Sequence, residues 1–240
     1  MTFSSAGSAG PDRPSADQIR AMQLLTSPPD NEIPVVLPVA AVLGRTGEAA
    51  VAVAGFRLFS SGIQLDLMVR LRTQPAGPLR FRLHELIGGF GPGDDAAADQ
   101  RLLLGLEYAD GRTATNLNGP GWWPPDGPEH DPRQPILMPT GGGGGDRSFD
   151  QGFWLTPVPP PGPLAIICAW PALQIAESRT VVDLSAVADA TCAVLELWPW
   201  HPEDEQRYEP VAPQVPAGSW FDQAGRTHQP DARAGDPGRC

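Results

Sequence analysis

Leu65, Leu67, Val69 and Leu71 alternate with Gln64, Asp66, Met68, Arg70 and Arg72. A period of two held over nine residues predicts a strand with one buried and one wet face. The alternation recurs in Leu79, Phe81 and Leu83 against Arg80, Arg82 and His84, where a short helix running to Ile87 is the competing reading. Residues 49–59 change parity midway: Val51 and Val53 point one way, Phe56 and Leu58 the other. Gly55 lies at the switch, where a bulge would shift the register. Upstream, the apolar run 35–43 contains Pro38, which predicts a sheet edge or a bulge. Downstream, 101–108 and 113–117 flank Asp110-Gly111, the strongest hairpin signal in the chain. Residues 149–156 are aromatic and extended. Residues 164–170 form a nearly continuous apolar run expected at a sheet centre, and 179–184 give a last strand.

Two segments carry helical signals instead. Ser15 and Gln18 have capping-box spacing ahead of Ile19, Met22 and Leu25, and Pro28-Pro29 would stop the helix. After Asp183 or Ser185 as a cap, Val187, Ala190, Val194 and Leu197 share one helical face that Pro199 would end. The chain holds 29 prolines and 27 glycines, which argues for many short strands joined by turns. The expected fold is therefore all-β: an antiparallel β-sandwich, immunoglobulin-like, with a short N-terminal helix and one C-terminal helix. A jelly roll is the second choice. Residues 1–14 and 203–240 are polar, with scattered Pro and Gly, and read as a disordered tail and a mostly disordered tail around a single domain at 15–202.

Composition narrows the chemistry. All seventeen basic residues are arginine, and the absence of lysine excludes the usual P-loop, Schiff-base and pyridoxal-phosphate chemistries. So complete a replacement looks like GC-rich codon bias. A net charge of −11 disfavours nucleic acid as a partner. No secretory leader and no membrane-spanning run are visible, so a cytoplasmic location is expected. Cys168 and Cys192 read as small buried hydrophobes in a reducing compartment, with a disulfide between them left open.

Three stretches stand out together. They are Gly62-Ile-Gln-Leu-Asp-Leu-Met-Val-Arg-Leu-Arg72, Leu106-Glu-Tyr-Ala-Asp-Gly-Arg-Thr-Ala-Thr-Asn116, and the glycine run followed by Phe153-Trp-Leu-Thr-Pro-Val-Pro-Pro-Pro-Gly-Pro-Leu164. Their order resembles a group of uncharacterised proteins from GC-rich Gram-positive bacteria, over residues 35–200. The resemblance implies a β-sandwich-like fold built from strand, hairpin, glycine-rich crossing and proline corner. It implies no activity.

The sharpest candidate site is cationic. If 64–72 paired with 79–84 so that Arg72 faced Arg80, Arg70 would face Arg82, and His84 would lie beside them. Four guanidiniums on one face of an acidic protein would suit an anion or a partner's acidic surface. Local carboxylates such as Asp66 and Glu85 offer the plainer alternative of neutralisation. Trp122 and Trp123 sit in a Gly/Pro loop and suit either stacking on a sugar or partner, or pinning the loop to the core. Gly141 to Gly145 lack the strand–loop–helix context of an anion cradle and read as a connector or a close backbone crossing. Glu129-His130-Asp131 and His201 to Glu205 match no metal-site spacing, and no nucleophile elbow occurs. The expectation is a non-enzymatic protein-interaction module without cofactor or metal, using Arg70, Arg72, Arg80, Arg82 and His84. The alternatives are a small-ligand or carbohydrate module using Trp122 and Trp123, and a hydrolase with a scattered catalytic set.

Overall fold

The structure, a computed structural model, describes residues 15–74, 83–88, 100–117, 131–202 and 219–220. The chain divides into two units, Met1–Glu205 and Gln206–Cys240, and only Ser219 and Trp220 of the second are described. The first unit is mostly β and antiparallel, as expected. No helix among the described residues is long and apolar enough to cross a membrane.

The larger sheet is built on a meander. β1 (Glu32–Ile33) precedes β2 (Val35–Leu37) and β3 (Ala41–Arg45), which lie along the same edge of β4 (Ala49–Leu58) and are separated at Pro38. Pro38 thus splits the predicted 35–43 strand at the sheet edge, where a missing N–H does least harm. β4 pairs with β5 (Ile63–Leu71), and the register shifts between Val53 and Gly55, the bulge expected from the parity change. β5 is flanked on its other side by β9 (Ser148–Thr156), which forms a hairpin with β8 (Ile136–Gly145). The order is β2-β4-β5-β9-β8, with β3 also on β4.

The smaller sheet contains β6 (Leu103–Glu107), β7 (Thr113–Thr115), β10 (Pro163–Trp170) and β11 (Ile175–Asp183) in the order β11-β10-β6-β7. β10 is central, as its apolar run requires. Gly111, at φ +86°, supports the β6–β7 turn and donates its N–H to the Tyr108 carbonyl. One core joins the inner faces of both sheets. It contains Val51, Phe56, Leu65, Leu67, Val69 and Phe153 from the larger sheet and Leu104, Leu106, Ile166 and Trp170 from the smaller. At one margin the Ser178 hydroxyl on β11 donates to the Leu43 carbonyl on β3.

Helices are minor. α1 (Ala16–Thr26) has the predicted capping box: Gln18 N donates to Ser15 Oγ at 3.2 Å, and Ser15 N donates to Gln18 Oε1 at 2.7 Å. α1 buries no side chain fully, and Trp154 Nε1 on the outer face of β9 donates to its Leu24 carbonyl at 2.9 Å. α2 (Leu83–Gly88) follows the helical reading of that segment, with Leu83, Leu86 and Ile87 in the core. The late helix is corrected. α3 covers only Val187–Thr191, and its N-cap Ala186 makes no side-chain cap bond. The carboxylate expected to cap it, Asp183, instead accepts from Ser185 N at 2.8 Å and from the Ser185 hydroxyl. Beyond it β12 (Leu195–Glu196) pairs with β1, and Leu197 N donates to the Asn31 carbonyl. Backbone pairing with a distant segment thus overrides a helical period formed by Val194 and Leu197.

Candidate functional site

Cross-strand register defines the outer face of the larger sheet. One row runs Val42, Ala52, Met68, Asp150, Gly143 across β3, β4, β5, β9 and β8. A second runs Gly55, Asp66, Gly152, and a third runs Arg45, Ala50, Arg70, Ser148, Gly145. A fourth, Val36, Arg57, Gln64, Trp154, Met138, marks the end where α1 docks. Small side chains and glycines therefore leave a shallow trough of about 290 Å³ between taller charged groups, floored by Ala54, Met68, Gly141 and Gly152.

The charged groups are paired. Arg57 Nη2 donates to Asp66 Oδ1 at 2.5 Å, and Arg70 Nη1 donates to Asp150 Oδ1 at 2.6 Å. Arg70 also donates to the Val69 carbonyl at 2.8 Å. All four side chains are between about 40% and 60% exposed, so each pair adds at most about 1 kcal/mol of stability. Their effect is on the surface field, which alternates in sign. Arg57 Nε is buried and makes no hydrogen bond within the described protein. An unpaired buried donor is costly unless an incoming acceptor meets it. Beneath the trough the floor is rigidly bonded, because Gln151 Nε2 donates to the Thr140 carbonyl at 2.6 Å and to the Gly152 carbonyl at 2.9 Å.

The expected arginine hairpin does not assemble in the form proposed from sequence. Both edges of β5 are occupied, by β4 and β9, so Arg70 stands opposite Ala50 and Ser148 instead of Arg82. Arg72 is exposed at the end of the strand, its N–H donating to the Glu48 carbonyl. His84 lies on α2, so it continues no strand. Arg80, Arg82, Trp122 and Trp123 lie outside the described residues. Sequence reasoning missed Arg57. Its signal was present: it sits between Phe56 and Leu58, both inward, immediately after the bulge, and must point outward with Asp66 and Arg70.

The five glycines are corrected from connector to strand, because they complete β8 against β9 from Gly142↔Gln151 to Gly145↔Ser148. The smaller sheet carries its own outward ion pair, Arg179 with Glu107 at 2.8 Å, and the Arg179 guanidinium holds the Glu107 carboxyl below its usual range. Among the described residues no group of three or more His, Cys, Asp or Glu side chains is placed to hold a metal ion.

The two described cysteines are free thiols, and Cys192 is exposed where the helical pattern had predicted burial. Cys168 is enclosed in β10, and burial pushes its thiol up to about 11. Alkylation of the native chain should label the exposed Cys192 peptide quickly. The Cys168 peptide should be labelled only after denaturation, as peptide mapping by mass spectrometry would show. Rapid native labelling of Cys168 would contradict its place in the core.

No protein-family model, no curated protein and no solved structure matches this chain.

Proposed function

We propose that this chain is a cytoplasmic protein-interaction module, built as an immunoglobulin-like sandwich, that engages a partner protein through the outer face of its larger sheet. Support for the topology is the order β4-β5-β9-β8 set against β11-β10-β6-β7, with successive hairpins alternating between sheets. That order parallels the ABED and GFC arrangement of immunoglobulin domains. Two free thiols, Cys168 and Cys192, fit a reducing compartment.

The observation that carries the functional reading is the outward run Val42, Ala52 and Met68, which ends at Asp150 of the Arg70–Asp150 pair and is flanked by the Arg57–Asp66 pair. Val42 is 58% exposed and Val36, at the same sheet edge, 67%. A low apolar strip with a polar rim is the anatomy of a protein contact. A small-molecule site would instead be a deep apolar cleft enclosing most of its ligand. Charge complementarity specifies the partner. It presents carboxylates to Arg57 and Arg70, with basic groups beside them for Asp66 and Asp150.

The test is quantitative capture from host lysate with the tagged full chain, the Arg57→Glu/Arg70→Glu variant and an Arg179→Glu control on the other sheet. A stoichiometric partner retained by the wild type and by Arg179→Glu, but lost from the double variant at unchanged circular dichroism, is the expected result. A partner held equally by all three overturns the assignment of this face.

A further inference from the structure

The outer face of the larger sheet carries one large aromatic ring. β9 turns the Trp154 indole outward in the row Val36, Arg57, Gln64, Trp154, Met138, yet the indole is fully buried, under Phe59 and α1. The cover is less firmly held than what it covers. α1 buries none of its own side chains fully, and Ile19, Met22 and Leu25 are each only part-buried. A free helix of its 11 residues is marginal in water, so α1 keeps its shape by docking.

The ties that dock it are few and reversible. The residue that would pair with the Leu24 carbonyl inside the helix is Pro28, which has no N–H. That carbonyl accepts the Trp154 indole N–H instead, at 2.9 Å. Arg20 donates to Asn31 Oδ1 at 2.8 Å and lies 3.6 Å from the exposed Asp30 carboxylate. Beyond the helix the chain is fixed. Ser27 is extended and exposed, whereas Pro29 and Asn31 are buried, and Asn31 Nδ2 donates to the Trp198 carbonyl at 2.9 Å. No strand pairs with α1, so a pivot at Ser27 leaves every ladder intact.

Opening bares an indole two strands from Arg57, a spacing of roughly 10 Å. Trp and Arg are the residue types that concentrate binding energy in protein contacts. The indole N–H, parted from the Leu24 carbonyl, then needs an acceptor from whatever replaces the helix. We infer that α1 is a removable cover, which opens at Ser27 with the sandwich still folded. The partner of the outer face displaces it, seating an apolar side chain and a hydrogen-bond acceptor on Trp154. This inference rests on the interaction face assigned above and names how that face is regulated.

Hydrogen exchange in the full chain, read by NMR at the Trp154 indole N–H and the α1 amides, tests the opening with no partner present. The indole and α1 should exchange together, with protection at least about tenfold below that of the β5–β9 ladder. Ser15→Ala removes the helix cap and touches no strand. It should speed both by about fivefold and leave the ladder unchanged. An indole that exchanges only with the ladder overturns the cover, and so does a Ser15→Ala effect confined to α1. Capture from host lysate reads the regulation. Met22→Pro, which breaks α1, should retain severalfold more of the partner that Arg57→Glu/Arg70→Glu loses, and Ser15→Ala a smaller excess at unchanged circular dichroism. A partner retained equally by the wild type and both α1 variants overturns the regulation and leaves the face standing. A partner indifferent to Arg57 and Arg70, or none from any variant, overturns the face and the regulation with it.

Discussion

Trp154→Ala should lower the unfolding free energy by about 3–5 kcal/mol, the range for deleting a fully buried aromatic side chain. Trp154 is 0% exposed although it points away from the main core. Its cover is the Phe59 ring, edge-on with centroids 5.6 Å apart, together with α1, whose Leu24 carbonyl accepts the indole N–H. The substitution removes the apolar surface and strands that carbonyl. α1 buries no residue of its own fully and is otherwise tied through Arg20, which donates to Asn31 Oδ1 at 2.8 Å, so the loss should be visible locally as well as globally. A lower denaturant midpoint is expected, together with protease cleavage within 16–26 under native conditions. Trp154→Phe keeps most of the volume but loses the hydrogen bond, worth about 1 kcal/mol. It should therefore leave the midpoint nearer the wild type while still loosening α1. An unchanged midpoint in Trp154→Ala would mean that the indole is not the link between helix and sheet.

The second large effect belongs to Gly62, in the turn between β4 and β5. A Cβ there would lie 2.5 Å from the Leu155 carbonyl oxygen and 2.6 Å from the Trp154 ring. The ring is fully buried, and the carbonyl belongs to the β5–β9 ladder, where Ile63 pairs with Leu155. Gly62→Val should destabilise by about 2–3 kcal/mol, in the range for overpacking a closed site. Gly47→Val, in a turn where a Cβ meets nothing within 4 Å, is the control and should shift stability by no more than about 0.5 kcal/mol. The two sites touch, so Gly62→Ala should cost less in the Trp154→Ala background than in the wild type. Equal chemical-denaturation midpoints for Gly62→Val and Gly47→Val would refute the close approach.

Local chemistry in this chain was legible and long-range pairing was not. The capping box at Ser15, the bulge at Gly55, the break at Pro38 and the turn at Asp110-Gly111 each depend on a few neighbouring residues, and each stands where the sequence placed it. The alternation of 64–72 separated inward from outward side chains, although outward Gln64 is buried, yet it could not name the strands beside β5. Parity says which face a residue takes and nothing about what lies alongside. The pairing of 64–72 with 79–84 failed at that step, since the neighbours of β5 are β4 and β9. Arg57 was recoverable from parity once the bulge had been accepted. Of the two readings of the glycine run, the connector gives way to a strand carried by the ladder to β9, while the close backbone approach holds at Gly142 and Gly144. The late helix forms but stops at Thr191, short of the expected Leu197, because Leu195 finds a backbone partner in Ile33.

The position of β5 between β4 and β9 also sets an order of events on the ribosome. β4 and β5 can close as soon as both have emerged, but the partner of β5 on its other side lies about eighty to ninety residues downstream, where Leu155 meets Ile63 and Ser148 meets Arg70. At synthesis rates of roughly 5–20 residues per second, that flank stays bare for roughly 4–20 seconds. During this interval the nascent hairpin presents a long, hydrogen-bond-hungry strand. Asp66 and Arg70 on its outer side are charges that discourage premature pairing with a neighbouring chain on the same polysome. Arg70 stays uncompensated longest, because its ion-pair partner Asp150 arrives only with β9, whereas Arg57, the partner of Asp66, is already in place on β4.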